Sequence, residues 1–334
     1  MIESFLATTG HGIARAAYIA PTQWAVEFLL PEEDVRCLAA DPLNPEVVYA
    51  GTQGHGVLRS PDRGKTWQPR GLRGHVVKAL AVSRAQPGAV YAGTKPACLF
   101  VSRDEGNTWT ELTSFRQIKS RPFWLSPAEP PFIGYVQSIA LSPTDPKTIV
   151  VGIEVGAVVR SQDGGQTWTD HRRGALRDCH TLTFHVSNGD WVYEAGGTGA
   201  GVAVSRTAGD RWTQPGEGLG QHYGWAVAAD PAQPTLWYAS VAPSALAAHR
   251  EQQARASLFR MTEGGSWHQL FGGLPQPLTS MPYALLTDPI APGHVYAGLG
   301  NGEVWHSSNH GEHWYQLPFT LGCIARTLIA LFPR

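Results

Sequence analysis

Seven short apolar segments of this chain each carry one side chain that does not belong in a sheet core: Arg36, Lys78, Gln137, His180, Trp225, Tyr283 and Arg326. They recur 42 (Arg36 to Lys78) to 59 (Lys78 to Gln137) residues apart, among Leu, Ile, Val and Ala. Guanidinium and ammonium groups hold carboxylates and phosphates by charge-assisted hydrogen bonds. Aromatic rings add broad apolar contact. If the segments are neighbours in space, Arg326, Arg36 and Lys78 form a cationic wall, Trp225 and Tyr283 an aromatic one, and His180 stands between them. That set suits an organic anion, or a sugar carrying a carboxylate or phosphate. Glu154 ends a strand where equivalent segments have Gln53 and Lys95. It is the carboxylate best placed for acid–base work. No cofactor is implied.

The elements that must position these residues are repeats. Ser60 to Trp67, Ser102 to Trp109 and Ser161 to Trp168 all read S-x-D-x-G-x-T-W. Looser copies run from Ser205 to Trp212, Arg260 to Trp267 and Ser307 to Trp314. Upstream of them come Val48-Tyr49-Ala50-Gly51, Val90-Tyr91-Ala92-Gly93 and Val295-Tyr296-Ala297-Gly298, after turns such as Asp41-Pro42 and Asp288-Pro289. Each period thus holds four short strands separated by turn signals, the pattern of a β-propeller blade. Within the box, Ser and Asp cap backbone N–H groups, Gly supplies a positive φ, and Trp packs between blades.

The ends supply one more blade. Residues 1–30 align with strands two to four of a repeat, Trp24 standing where Trp67 does. Cys323 to Leu331 reads as an isolated first strand, like Val35 to Ala40. Pairing 322–332 with 1–30 closes a ring marked by Trp24, Trp67, Trp109, Trp168, Trp212, Trp267 and Trp314. The expected fold is all-β, a single seven-bladed propeller domain over 1–334. The boxes resemble the BNR or Asp-box repeat family, whose members include sialidases, sortilin-type receptors, xyloglucan-cleaving glycosidases and photosystem II assembly-factor-like propellers. The resemblance implies that a site lies on the face opposite the boxes. It does not choose an activity. The Arg-Ile-Pro motif that a sialidase resemblance implies is missing.

Two insertions belong to that opposite face, 113–135 and 241–257. The first contains Trp124 and a Pro-rich run. The second, from Ala245 to Ala254, is the one convincing helix candidate. Long loops on a rigid scaffold tend to carry function. His11, His55, His75 and His222 fall on the same face without metal-ligand spacing, so no metal site is assigned. The formal charge is -1, which argues against a nucleic-acid or anionic-membrane partner. No apolar run approaches a membrane span. Cys37, Cys98, Cys179 and Cys323 lack CxxC spacing and read as reduced thiols of a cytoplasmic protein. The expected function is binding of a small anionic or carbohydrate-like ligand, or of a protein partner. The alternatives are a glycoside hydrolase using Glu154 and, third, a metal-dependent lyase or oxidoreductase.

Overall fold

A computed structural model describes residues 2–20, 22–262 and 264–333. The chain forms seven antiparallel sheets in one ring, a seven-bladed β-propeller. Blade one is Val35–Ala40, Val48–Thr52, Val57–Ser60 and Gln68–Pro69. Blades two to six repeat it, with first strands Val76–Val82, Val136–Leu141, Cys179–Phe184, Tyr223–Ala229 and Pro282–Thr287. Blade seven joins the two ends of the chain: Leu328–Leu331 pairs with Ser4–Thr8, followed by Ile13–Ala20 and Gln23–Leu29. First strands touch one another around the ring, and Leu328–Leu331 reaches both Pro282–Thr287 and Val35–Ala40.

The core is not central. It is divided into seven apolar clusters, each sandwiched between two blades. Leu6 and Leu331 of blade seven pack on Leu38 and Val48 of blade one. Tyr91 and Leu99 pack on Val136 and Val151. Phe5, Leu328 and Trp24 pack on Tyr296 and Phe319, closing the circle. Close packing requires glycine on the second strands. A Cβ on Gly93 would lie 2.3 Å from Val136 of the next blade, and one on Gly152 would lie 2.2 Å from Cys179. The Val-Tyr-Ala-Gly motif therefore records a blade-to-blade contact.

The boxes are self-bonded turns. Ser161 Oγ accepts from Gly165 N at 2.8 Å and donates to Asp163 at 2.8 Å. Asp163 accepts from the backbone and the hydroxyl of Thr167 at 2.9 and 2.6 Å. Ser60–Thr66 and Ser102–Thr108 repeat this network. These bonds hold the Asp104 and Asp163 carboxyls down at about 2. The box tryptophans also reach the preceding blade: Trp109 Nε1 donates to the Arg70 carbonyl, and Trp267 Nε1 to the Pro215 carbonyl. Arginines on the third strands add ties between neighbouring blades. Arg59 binds Glu105, Arg160 faces Asp210, and Arg260 binds Glu312.

Two expectations fail locally. Blade three has three strands, its fourth reduced to one bridge between Arg160 and Thr169. There the His171 ring nitrogen accepts from Val158 N at 3.2 Å, and Asp170 turns away to hold Ser120 of the first insertion. The expected helix shrinks to Ala245–Ala248, capped by Ser244 Oγ. With one turn and no apolar stripe, nothing sustains propagation, and Gln252 and Arg255 adopt positive φ. The joined blade yields a test. Leu328→Ala should cost about 2–5 kcal/mol in urea unfolding, and removing residues 323–334 should abolish the cooperative melt. A truncated chain melting like the full one would rule out closure by this strand.

Candidate functional site

The seven ring residues owe their direction to a shared irregularity. Each of six first strands carries a β-bulge against its second strand. The pairing register skips between Val35 and Cys37, Val77 and Ala79, Val136 and Ser138, Cys179 and Thr181, Gly224 and Val227, and Pro282 and Ala284. The unpaired residues are Arg36, Lys78, Gln137, His180, Trp225 (with Ala226) and Tyr283. In blade seven, Ala325 N donates to the Thr8 carbonyl and Thr8 N to the Thr327 carbonyl, leaving Arg326 in the same place. A bulge re-aims a side chain that the pleat would otherwise bury between blades.

All seven, together with Glu154, line one cavity of about 730 Å³ at the channel mouth. That size lies within the usual range for a small-molecule site. On one wall Arg36, Lys78 and Lys95 surround a carboxylate absent from the sequence-based site, Glu129 of the first insertion. Lys78 Nζ donates to Glu129 Oε1 at 2.6 Å and an Arg36 guanidinium N–H donates to Oε2 at 3.1 Å. Lys95 Nζ donates to the Glu129 backbone carbonyl at 2.7 Å. Arg36 also meets Asp34 at 2.5 Å. The expected bare cationic wall is thus partly compensated from within. Arg326 is exposed and, among the described residues, has no hydrogen-bond or ion-pair partner.

Burial alone would raise the Glu129 carboxyl. The Lys78 hydrogen bond and the charges of Lys78, Arg36 and Arg326 outweigh it and hold the group at about 2. Lys78 moves the opposite way from an ordinary ammonium. Burial first, then the nearby Arg326 charge, lower it to about 8, against the opposing pull of Glu129. Its ammonium also lies 4.2 Å from the Tyr135 ring centroid.

The far wall is aromatic. Trp225 stacks on His180 with centroids 4.4 Å apart and meets Tyr283 edge-on at 5.0 Å. His249 of the second insertion bridges two hydroxyls, with Nε2 2.7 Å from Tyr223 and Nδ1 2.8 Å from Tyr283. Burial, then the His180 charge, depress its basicity. A neutral ring donates at one nitrogen and accepts at the other. His180 Nδ1 lies 2.6 Å from the Gly224 carbonyl, which only accepts, so Nδ1 carries the proton. Its Nε2 faces Asp178 at 3.5 Å. Burial, then the Asp178 charge, push the Glu154 carboxyl up, against the pull of His180 and Tyr135. Glu154 therefore retains its proton more readily than a solvated glutamate.

Other expected residues stand elsewhere. Trp124 is buried beneath the first insertion, in contact with Phe115, and its Nε1 donates to Ser120 Oγ at 3.0 Å. It anchors the insertion and does not line the cavity. His11, His55, His75 and His222 are exposed and outside it. Among the described residues no three His, Cys, Asp or Glu side chains are grouped to hold a metal ion. The sequence reading missed Glu129 and His249 because neither occupies a repeated position. The available signal was their presence in the two long insertions. The wall electrostatics have a direct readout. In an NMR titration of labelled lysine, Lys78 should titrate near 8, and Glu129→Gln should move its midpoint lower. A midpoint above 10 in both proteins would contradict the crowding of cations at this wall.

No family model matches the chain, and no curated protein matches it. Solved structures do. The chain is similar to a GH74 xyloglucanase from Xanthomonas campestris, with a TM-score of 0.69 and 21% identity over 94% of this chain and 52% of the other. It spans about half the length of that protein. It is also similar to YCF48 solved bound to D1 peptide, with a TM-score of 0.58 and 15% identity over 84% and 80% of the two chains. YCF48 from Cyanidioschyzon merolae gives a TM-score of 0.53 and 14% identity over 88% of this chain and 87% of that one. At these identities the likeness establishes the propeller fold, shared by glycoside hydrolases and by a peptide-binding protein.

Proposed function

We propose that this propeller binds a small organic anion at its channel mouth, carboxylate or phosphate toward Arg326 and Arg36 and ring toward Trp225 and Tyr283. One observation carries the reading: an unpaired guanidinium, Arg326, lines the same cavity as Arg36, Lys78, His180 and an aromatic wall. Charged donors kept in a partly dry pocket bind anions more strongly than the same groups in water. The neighbours' ligand classes, a sugar polymer and a peptide, are both compatible with such a mouth. Cys37, Cys98, Cys179 and Cys323 are all free thiols, which suits our placement of the protein in the cytoplasm.

A hydrolase is the second reading, favoured by the proton-retaining Glu154 beside Asp178. A raised carboxyl serves as general acid while a second carboxylate stays ionised. The two readings separate experimentally. Calorimetric titration with N-acetylneuraminic acid and with 1-naphthoate should show binding that Arg326→Ala weakens by roughly 10-fold or more, as loss of a charged hydrogen bond requires. Absence of binding of either anion at millimolar concentration would remove the reading. Turnover of an aryl glycoside, lost in Glu154→Gln, would promote the hydrolase.

A further inference from the structure

Glu129 sits in the middle of a strap anchored at its ends, where Ser126 is buried and Ile133 bridges Leu125. The strap runs from Ser126 to Ile133 and reads Ser-Pro-Ala-Glu-Pro-Pro-Phe-Ile. Pro127, Ala128, Pro130, Pro131 and Phe132 are exposed. Three prolines remove three backbone donors. Within the strap Ala128 N donates to Ser126 Oγ and Ile133 N to the Pro131 carbonyl, while Ile133 at its far end bridges Leu125, which pairs with Val155 of blade three. Between Ala128 and Phe132, the hydrogen bonds and ion pairs to the blades among the described residues pass through Glu129 or the Pro130 carbonyl.

We propose that Arg36, Lys78 and Lys95 form a subsite for a carboxylate carried on an extended peptide, and that Glu129 is its resident occupant in cis, displaced by an acidic peptide from a partner. The proposal rests on the anion-binding reading above and narrows its ligand. Two features of the contact point to a peptide. The side-chain carboxylate is divided between Lys78 and Arg36, so one ion pair does not account for it. Lys95 Nζ reads the main-chain carbonyl of the same residue at 2.7 Å and lies 3.6 Å from its Oε1, so backbone and side chain of one residue are read by one group. The subsite therefore recognises an acidic side chain and the adjoining peptide unit together.

The strap's exposure shows why exchange is feasible. Pro127, Pro130, Pro131 and Phe132 already face solvent, so displacing the strap changes their exposure little. Phe132 is 63% exposed. What is lost is one carboxylate and two carbonyl contacts, and an acidic peptide in trans restores them. The tether gives Glu129 an effective concentration in the millimolar range, so an external ligand competes against it. The cis occupant thus sets a threshold that a ligand crosses either in excess or by making further contacts. Such contacts are available at the free Arg326 and on the aromatic wall.

The test uses the full chain and two probes: a blocked synthetic peptide with the sequence of residues 126–132, and N-acetylneuraminic acid. The peptide should bind the Glu129→Gln protein at least about tenfold more tightly than the wild type, since the tethered competitor is gone. A peptide with Gln in place of its Glu should lose that affinity, as should adding Arg36→Ala to the Glu129→Gln protein. Hydrogen exchange of 126–133 in the wild type should rise when the peptide is present in excess. If N-acetylneuraminic acid binds both proteins and the peptide binds neither, the anion site stands and the strap proposal falls. Equal peptide affinity for both proteins also overturns it. If neither probe binds either protein, both readings fail.

Discussion

The structure depends on how closely each first strand approaches the second strand of the preceding blade. At Gly93, Gly152 and Gly298 that approach leaves no room for a Cβ. The consequence reaches the whole ring. Blades that pack this tightly at the inner edge put seven first strands around one channel, and any residue expelled from the strand-to-strand packing has only the channel to enter. The bulges do the expelling. Arg36, Lys78, Gln137, His180, Trp225 and Tyr283 are each the extra residue where a first strand skips one or two positions of its register. A charged side chain inserted between blades without a partner would cost several kcal/mol. In the channel the same side chain keeps access to water and to ligands. Scaffold and site are therefore two results of one packing constraint.

This explains why the ring was legible in the sequence while its partners were not. A bulge residue recurs at the same place in every blade, so aligning repeats finds it from Arg36 to Arg326 without knowledge of its direction. The box and the Val-Tyr-Ala-Gly motif recur for the same reason; they hold as turn and second strand, and the structure adds a close blade-to-blade contact at the motif's glycine. Glu129 and His249 lie in insertions that interrupt the repeat, where no register carries over. Glu129 reads as one more polar residue in a Pro-rich loop, and nothing local shows that Lys78, far away in sequence, awaits it. Trp124 failed for the converse reason. A large ring in an exposed-looking insertion resembles a ligand platform, but the insertion folds on itself and buries that ring with Phe115. The lost fourth strand of blade three was equally hidden, since a histidine nitrogen replaces a carbonyl only in three dimensions.

The two insertions act on opposite walls with opposite chemistry. The first delivers a carboxylate to cations, and the second delivers an imidazole to two phenols. His249 engages both tyrosine hydroxyls with one ring and so fixes their positions, and the aromatic wall presents mainly ring faces and edges. The cationic wall is left with donors to spare. Arg36, Lys78, Lys95 and Arg326 outnumber Glu129 and Asp34, and Glu154 is biased toward its neutral form. In a chain of formal charge -1, positive charge is concentrated at the one cavity that also holds the aromatic wall.

The lowered Lys78 ammonium makes the occupant and the charge of the wall interdependent. Burial and Arg326 push its proton off, whereas Glu129 holds it on. Replacing Glu129 by another anion keeps Lys78 charged and the wall intact. Replacing it by a neutral group leaves Lys78 crowded by Arg36 and Arg326 without its hydrogen-bonded carboxylate, so the amine tends to deprotonate and one donor of the subsite loses its charge. By linkage, a ligand that favours the charged lysine binds best where that lysine is charged, and its affinity falls as pH rises through the lysine's own midpoint. The arrangement selects against neutral ligands twice: they gain no Coulombic attraction, and their entry weakens the cation they would contact. An anion restores both, and the Lys95 contact with the Glu129 carbonyl adds a second, uncharged acceptor to what the wall holds.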